Sequence, residues 1–351
     1  MTEKVSSGIK FLGDIPGFEL PNGVLNKGIT GCGATTVALT DPYSTIICSP
    51  RNELLRNKSD QYPNSLLVIG GVNVDEIINY INKTPIPKIL VSYDSFPKLL
   101  ECISDKSKFR VVVDEFHFIL QDASFKSEVG LALLNKLKVF PYVTYLSATP
   151  ILDKFIDKID FFKDIPYTKL DWEDKELIEV VRIKSPNPIS AAIRIVENYK
   201  NGDYPKILLP TGEWVESTEC VIFLNSVNNN VNIVKPCRLS PEDVNLIVGA
   251  SEDNDKQISK IGEGFSRGRI PLKGEKHKKF TFCTSTAYAG CDFYSESAST
   301  FVISDNKRLN TSIDISTDLV QIAGRQRLET NPFRKHIYFI YNTSIAETND
   351  E

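Results

Sequence analysis

Residues 28–36 read Gly-Ile-Thr-Gly-Cys-Gly-Ala-Thr-Thr, a phosphate-binding loop with one defect. Alanine stands at position 34, where the pattern G-x-x-x-x-G-K-[ST] carries its lysine. Such a loop works because its backbone N–H groups converge on nucleotide phosphates, its lysine reaches the terminal ones and its hydroxyl binds magnesium. It also constrains architecture, since the motif joins a strand to a helix. The flanking sequence supplies both, a candidate strand at 23–27 and a helical stretch at 35–40. Gly28, Thr30, Gly31, Cys32, Gly33, Ala34, Thr35 and Thr36 are therefore expected to surround phosphates, with Thr35 as a magnesium ligand.

At 351 residues the chain exceeds what one hydrophobic core usually organises, and two domains of similar size are expected. Short β-branched runs at 44–48, 65–69, 88–92, 110–114 and 142–147 alternate with helical stretches at 52–57, 74–82, 96–104 and 126–137. That alternation predicts an α/β fold, a mainly parallel sheet flanked by helices, whose ligands sit beyond the carboxyl ends of the strands. Periodicity weakens over 149–174, read as the connection, and the domains are set at 1–165 and 166–351. The pattern then restarts, with strands at 179–183, 219–224, 245–248, 281–283, 300–303 and 336–341 and helices at 188–199 and 317–328. Both termini are expected to fray.

No apolar run is long enough to span a bilayer, and no signal peptide is expected. The seven cysteines contain no C-x-x-C pair, which argues against a disulfide framework or structural zinc and for a reducing, cytoplasmic setting. A net charge of -4 does not favour nucleic-acid coating, although a basic groove can lie within an acidic total. Lys273, Lys276, Lys278 and Lys279 are candidates for bordering a phosphate track, set against a plain solvated loop.

Asp114-Glu-Phe-His117 closes the apolar run at 111–113. An aspartate there can hold magnesium through water while the adjacent glutamate polarises an attacking water, the division of labour phosphoryl transfer needs. Ser147-Ala-Thr149 ends another strand, where its hydroxyls can hydrogen-bond to His117 or Glu115 and couple the site. In the second half, Thr284-Ser-Thr-Ala-Tyr-Ala-Gly-Cys-Asp292 follows a strand and Gln321-Ile-Ala-Gly-Arg-Gln-Arg327 opens a helical stretch.

Taken in order, these segments resemble motifs I, II, III, V and VI of superfamily 2 helicases of the DEAD/DEAH type, here with a DExH tetrad, and the resemblance covers nearly the whole chain. It implies two RecA-like P-loop domains, with ATP and Mg2+ bound between them. It also implies a DNA or RNA strand, single-stranded and gripped through its phosphates, hence read without regard to sequence. The implied catalytic residues are Asp114, Glu115, His117, Gln321, Arg325 and Arg327, with Gly290 and Asp292 at the nucleotide. Weaker likenesses, Ser49-Pro50-Arg51 to motif Ia, 92–96 to a later nucleic-acid motif and 223–226 to motif IV, place Arg51, Ser92, Tyr93, Asn225, Ser226, Thr284 and Ser285 along the strand. Core packing is an equal alternative for Tyr93, and an exposed loop position for Arg51. Small size and altered motifs are reminiscent of helicase-like proteins of bacteriophages.

Three departures stand out. Ala34 removes a charge aimed at the β and γ phosphates, at a cost of roughly 3 kcal/mol or about a hundredfold in rate. Yet Lys27 sits at the end of the first strand, where a central parallel strand is normally apolar, so its amine either folds back into the vacant place or points to solvent. Leu328 occupies the place of the family's second arginine, and on a helix Arg327 would stand about 200° from Arg325, which favours Arg325 as the γ-phosphate contact and leaves Arg334 remoter. No adenine-reading glutamine segment precedes the loop. An ATP-dependent helicase, serving DNA replication or repair and with a protein partner for strand separation, is the leading expectation. A catalytically impaired binding module is the alternative.

Overall fold

A computed structural model describes residues 1–121, 127–148, 161–288 and 291–343. The chain divides into two compact units, Met1–Glu176 and Leu177–Glu351. The break falls beyond the expected 165/166 boundary because residues 167–172 are a strand of the first sheet.

In the first unit the strands are β1 (Thr2–Val5), β2 (Gly23–Asn26), β3 (Ser44–Ser49), β4 (Leu66–Val68), β5 (Lys88–Ser92), β6 (Phe109–Val113), β7 (Val143–Ser147) and β8 (Tyr167–Trp172). Every pairing is parallel, in the order β1-β8-β2-β7-β6-β3-β5-β4. The described helices are α1 (Ala34–Thr40), α2 (Asn52–Gln61), α3 (Val74–Lys83), α4 (Phe96–Cys102), α5 (His117–Gln121) and α6 (Ser127–Leu137). Successive strand residues feed opposite faces. Val24, Ile46, Val111 and Val113 pack in one core, and Leu25, Ile47, Val112 and Leu146 in the other. A sheet covered on both faces has no reason to alternate apolar with polar residues, so its central strands read as continuous apolar runs.

Two strands of this sheet were not foreseen. Residues 1–7, expected to fray, include β1, which pairs with β8 in register Thr2↔Lys169 to Val5↔Trp172. Most of β1 is polar and exposed, so pairing rather than burial orders it. Within the stretch read as a connection, β8 inserts between β1 and β2 and buries Leu170 and Trp172 beside Leu25 and Ala38.

The second unit holds β9 (Glu179–Lys184), β10 (Lys206–Leu208), β11 (Trp214–Glu216), β12 (Glu219–Phe223), β13 (Val244–Ile247), β14 (Phe280–Cys283), β15 (Ala298–Ser304) and β16 (His336–Tyr341). Its main sheet is parallel, in the order β13-β14-β12-β15-β16-β9, with β10 and β11 forming a separate antiparallel hairpin. The described helices are α7 (Pro188–Lys200), α8 (Val227–Val234), α9 (Glu252–Ile258) and α10 (Asp318–Ala323). Asn187 starts α7 by accepting the Ser190 N–H, with Pro188 in the first turn, where a missing N–H costs nothing.

The helix expected over 317–328 ends early. Gly324 follows α10, and Gln326 forms a parallel bridge with Phe293 through Phe293 N to Arg325 O at 2.9 Å and Arg327 N to Phe293 O at 2.8 Å. No described helix is long and apolar enough to cross a membrane. The fraying expected of the carboxyl terminus, at 346–351, concerns residues outside those described.

Candidate nucleotide site and second-unit motif cluster

The loop after β2 is built by glycines with positive φ. Gly28 has φ 72°, and a side chain there would collide with the Leu170 carbonyl of β8. Gly33 has φ 83° and precedes α1, whose first turn is thereby aimed at the loop. Gly28→Ala should cost about 2–4 kcal/mol, combining left-handed backbone strain with overpacking. Chemical denaturation would measure it, and an unchanged midpoint would refute the clash.

Around this loop the expected phosphate residues divide. Thr30, Gly33 and Thr35 are half-buried, and Gly28, Gly31 and Thr36 are exposed. Cys32 is 1% exposed and packs in the core, its carbonyl accepting the Leu12 N–H at 2.8 Å. Ala34 is 3% exposed and packs in the same core beside Ala38.

Lys27 is buried, 6% exposed, and does not point to solvent. Its Nζ lies 3.3 Å from Asp114 Oδ1 and 3.3 Å from Glu115 Oε1. Burial by itself would favour the neutral amine, but Asp114 and Glu115 outweigh it and hold the pKa above the ordinary lysine value. The backbone of Lys27 is fixed as firmly: its N–H donates to Ser147 O at 2.8 Å and its carbonyl accepts Trp172 Nε1 at 2.7 Å. Asn26 completes the clasp, accepting the Gly28 N–H at 3.0 Å and donating to the Tyr167 hydroxyl at 3.0 Å. Tyr167 and Trp172 were missed in the sequence, where only the period-two spacing of Leu170 and Trp172 betrays β8.

Asp114 and Glu115 follow β6 and are 4% and 5% exposed. Asp114 Oδ2 accepts the Thr35 hydroxyl at 3.2 Å, while Oδ1 accepts the Glu115 N–H at 3.0 Å. Glu115 takes φ 52°, unusual for a residue with a side chain and the kind of strain that surrounding contacts must hold. Its Oε2 is 3.2 Å from His117 Nδ1, which is 2.8 Å from the Ser147 hydroxyl. Burial pushes the His117 pKa down against the pull of Glu115, so the ring is neutral at neutral pH. The Thr35 hydroxyl and the Asp114 carboxylate are oxygen donors that meet on one side of the loop and suit a hard cation such as Mg2+. Among the described residues no group of three or more His, Cys, Asp or Glu could hold a metal, so these two donors would rely on phosphate and water for the remaining ligands. Thr149 lies outside the described residues.

Tyr93 is a correction. It is 8% exposed within the core, and its hydroxyl donates to the Asp114 carbonyl at 3.0 Å, so it braces the strand end and offers no face for base stacking. Ser92 is also buried, its hydroxyl bonded to Ser95 at 2.9 Å. Arg51 is half-buried, with its guanidinium over the Phe118 ring at 4.6 Å, rather than an exposed loop residue.

In the second unit, Asn225, Ser226, Thr284 and Ser285 meet past the carboxyl ends of β12 and β14. The Asn225 amide accepts the Ser285 N–H at 3.0 Å and donates to Asn310 O at 2.9 Å. Ser226 caps α8 through the Asn229 N–H, and Thr284 is bonded to Thr286 at 3.0 Å. The two arginines differ in burial and in partners. Arg325 is 3% exposed and donates to Gln321 O at 2.7 Å and Cys291 O at 3.3 Å. Arg327 is the more accessible and pairs with Asp292 at 2.8 Å. Helical geometry set them apart, but on extended backbone residues two apart share a side. Gln321 is 2% exposed, Arg334 is half-buried, and Gly290 lies outside the described residues.

Both sheets with their flanking helices have a RecA-like fold, mainly parallel strands covered by helices. The chain is similar to Mycobacterium smegmatis helicase Lhr bound to ssDNA and AMP-PNP, with 14% identity and a TM-score of 0.57 over 92% of this chain and 44% of that one. It is similar also to Mss116p bound to ssRNA and AMP-PNP, at 14% identity and TM-score 0.58 over 95% of this chain and 68% of that one. S. cerevisiae Dbp5 bound to RNA and ADP BeF3 gives 14% and 0.57 over 94% and 80%. No family model matches the sequence. A curated protein, ribosomal RNA small subunit methyltransferase A of Ehrlichia canis (strain Jake), is 27% identical over 174 residues, 48% of this chain and 63% of that protein's length.

Proposed function

We propose that the protein is a nucleic-acid-stimulated ATPase of the DExH helicase class, in which Lys27 replaces the lysine absent at position 34. One observation carries the reading: a buried ammonium, held at both backbone groups, stands between the two carboxylates of the phosphate site. Mg2+ would supply charge neutralisation at the phosphates, with Thr35 and Asp114 as its protein ligands. Lys27 would bind terminal phosphate oxygens, Glu115 would take the proton of the attacking water, and His117 with Ser147 would hold Glu115 in place. Asn225, Ser226, Thr284 and Ser285 would contact a single strand of DNA or RNA through its phosphates, without sequence preference. A protein partner for duplex separation and a cytoplasmic setting complete the proposal.

One observation favours the binding-module alternative, the engagement of Arg325 with carbonyls of its own unit. ATP turnover measured with and without single strands of unrelated sequence decides between them. Stimulation by DNA or RNA is expected; strand binding with no turnover under any strand would leave only the module.

A further inference from the structure

At the end of the second sheet opposite the Asn225 and Thr284 cluster lies a cavity of about 500 Å3, entered at the amino ends of β13 and β14. With β14 four residues long, it stands roughly 13 Å from Thr284 at about 3.3 Å per residue. Its wall is formed where residues 265–271 run beside β13, the edge strand of the sheet. Gly268 N donates to Leu246 O at 2.8 Å and Asn245 Nδ2 to Arg269 O at 2.9 Å. The approach is so close that any side chain at Gly268 would strike the Asn245 amide oxygen.

The charge of the lining is one-sided: Arg267, Arg269, Lys276 and Lys278 against Glu275. Asp255 orients Arg267 from outside the lining, at 2.6 Å, and Glu275 orients Arg269 through two bonds of 2.7 and 2.6 Å. Lys278 Nζ donates only to carbonyls, Pro241 O at 2.6 Å and Val244 O at 3.0 Å. Lys276 is exposed, and its charge acts on the Glu219 carboxylate. His277 between them is buried and absent from the lining, so the chain turns the two lysines into the cavity and the imidazole away from it. With both arginines matched by the Asp255 and Glu275 carboxylates, Lys276 and Lys278 leave the concave wall with excess positive charge, which a bound anion would complement. The volume is nucleotide-sized rather than phosphate-sized, and Pro241, Val244 and Phe265 supply apolar wall.

We propose that this cavity binds a phosphoanion of nucleotide size, either a phosphodiester segment of a bound strand or a free nucleotide. It shares no residue with either cluster described above, and it stands whether or not ATP is hydrolysed.

Lys276→Glu tests it in the full chain, with Lys276→Gln as the milder variant and Lys235→Glu, exposed elsewhere in the same unit, as the charge control. If the occupant is a strand, Lys276→Glu weakens binding of a labelled single-stranded oligonucleotide by about tenfold and reduces the salt slope by about one. If it is a free nucleotide, oligonucleotide affinity is unchanged and calorimetric titration with AMP loses one binding site. Neither change, or an equal change in Lys235→Glu, overturns the proposal.

Discussion

Lys27→Ala should lower ATP turnover by about 10²–10³-fold and weaken ATP binding, the range found when one preorganised electrostatic group is removed from a reacting site. The structure adds a second effect that the phosphate role alone does not require. Lys27 is the cation beside Asp114 and Glu115, and removing one partner of a buried pair leaves uncompensated charge, worth about 3–5 kcal/mol of stability. The two effects separate experimentally. Urea denaturation of the ligand-free protein reads the structural part, and nucleotide affinity well below the unfolding midpoint reads the phosphate part. If the variant loses stability but binds and turns over ATP as before, Lys27 is a structural counter-ion and the proposed exchange with position 34 fails.

Substituting Glu115 by glutamine should leave ATP and strand binding within about threefold while turnover falls by about 10²–10⁴-fold, the range for loss of a positioned general base. Glutamine keeps the length of the side chain and can still hydrogen-bond, but it cannot accept the proton of water. Asp114 remains beside Lys27, so the cluster keeps an ion pair. Full turnover in this variant would remove Glu115 from the chemistry, and weakened nucleotide binding would assign it a ligand-holding part instead.

Much of this was legible in the sequence because buried parallel strands are rich in apolar residues: β3, β6 and β7 announce themselves through Ile46–Cys48, Val111–Val113 and Tyr145–Leu146. The loop and the Asp114-Glu115 pair were equally visible, since chemistry fixes their residue types. What escaped was structure held by pairing. The exposed residues of β1 and the half-exposed ones of β8 carry no apolar run; β1 owes its strand character to β8, and β8 owes its own to β1 and β2. Tyr93 misled because an aromatic beside a nucleic-acid motif has two uses, and only its hydroxyl bond to Asp114 reveals the structural one. The setting of Arg325 and Arg327 was misread because Gly324 was placed inside a helix that it ends. Lys27 stood at the margin: its break with strand composition was visible, its direction was not.

The position of β8 has a consequence in time. The indole of Trp172 reaches the Lys27 carbonyl across 145 residues of sequence, and the amino-terminal strand waits for the same partner. Long-range closure of this kind comes late in folding, because chain entropy is lost before contacts repay it. During synthesis the phosphate loop thus emerges among the first segments but is clasped among the last of its unit. A fragment ending at 165 would carry every residue of the loop and both carboxylates, yet lack the strand that locks the lysine beside them.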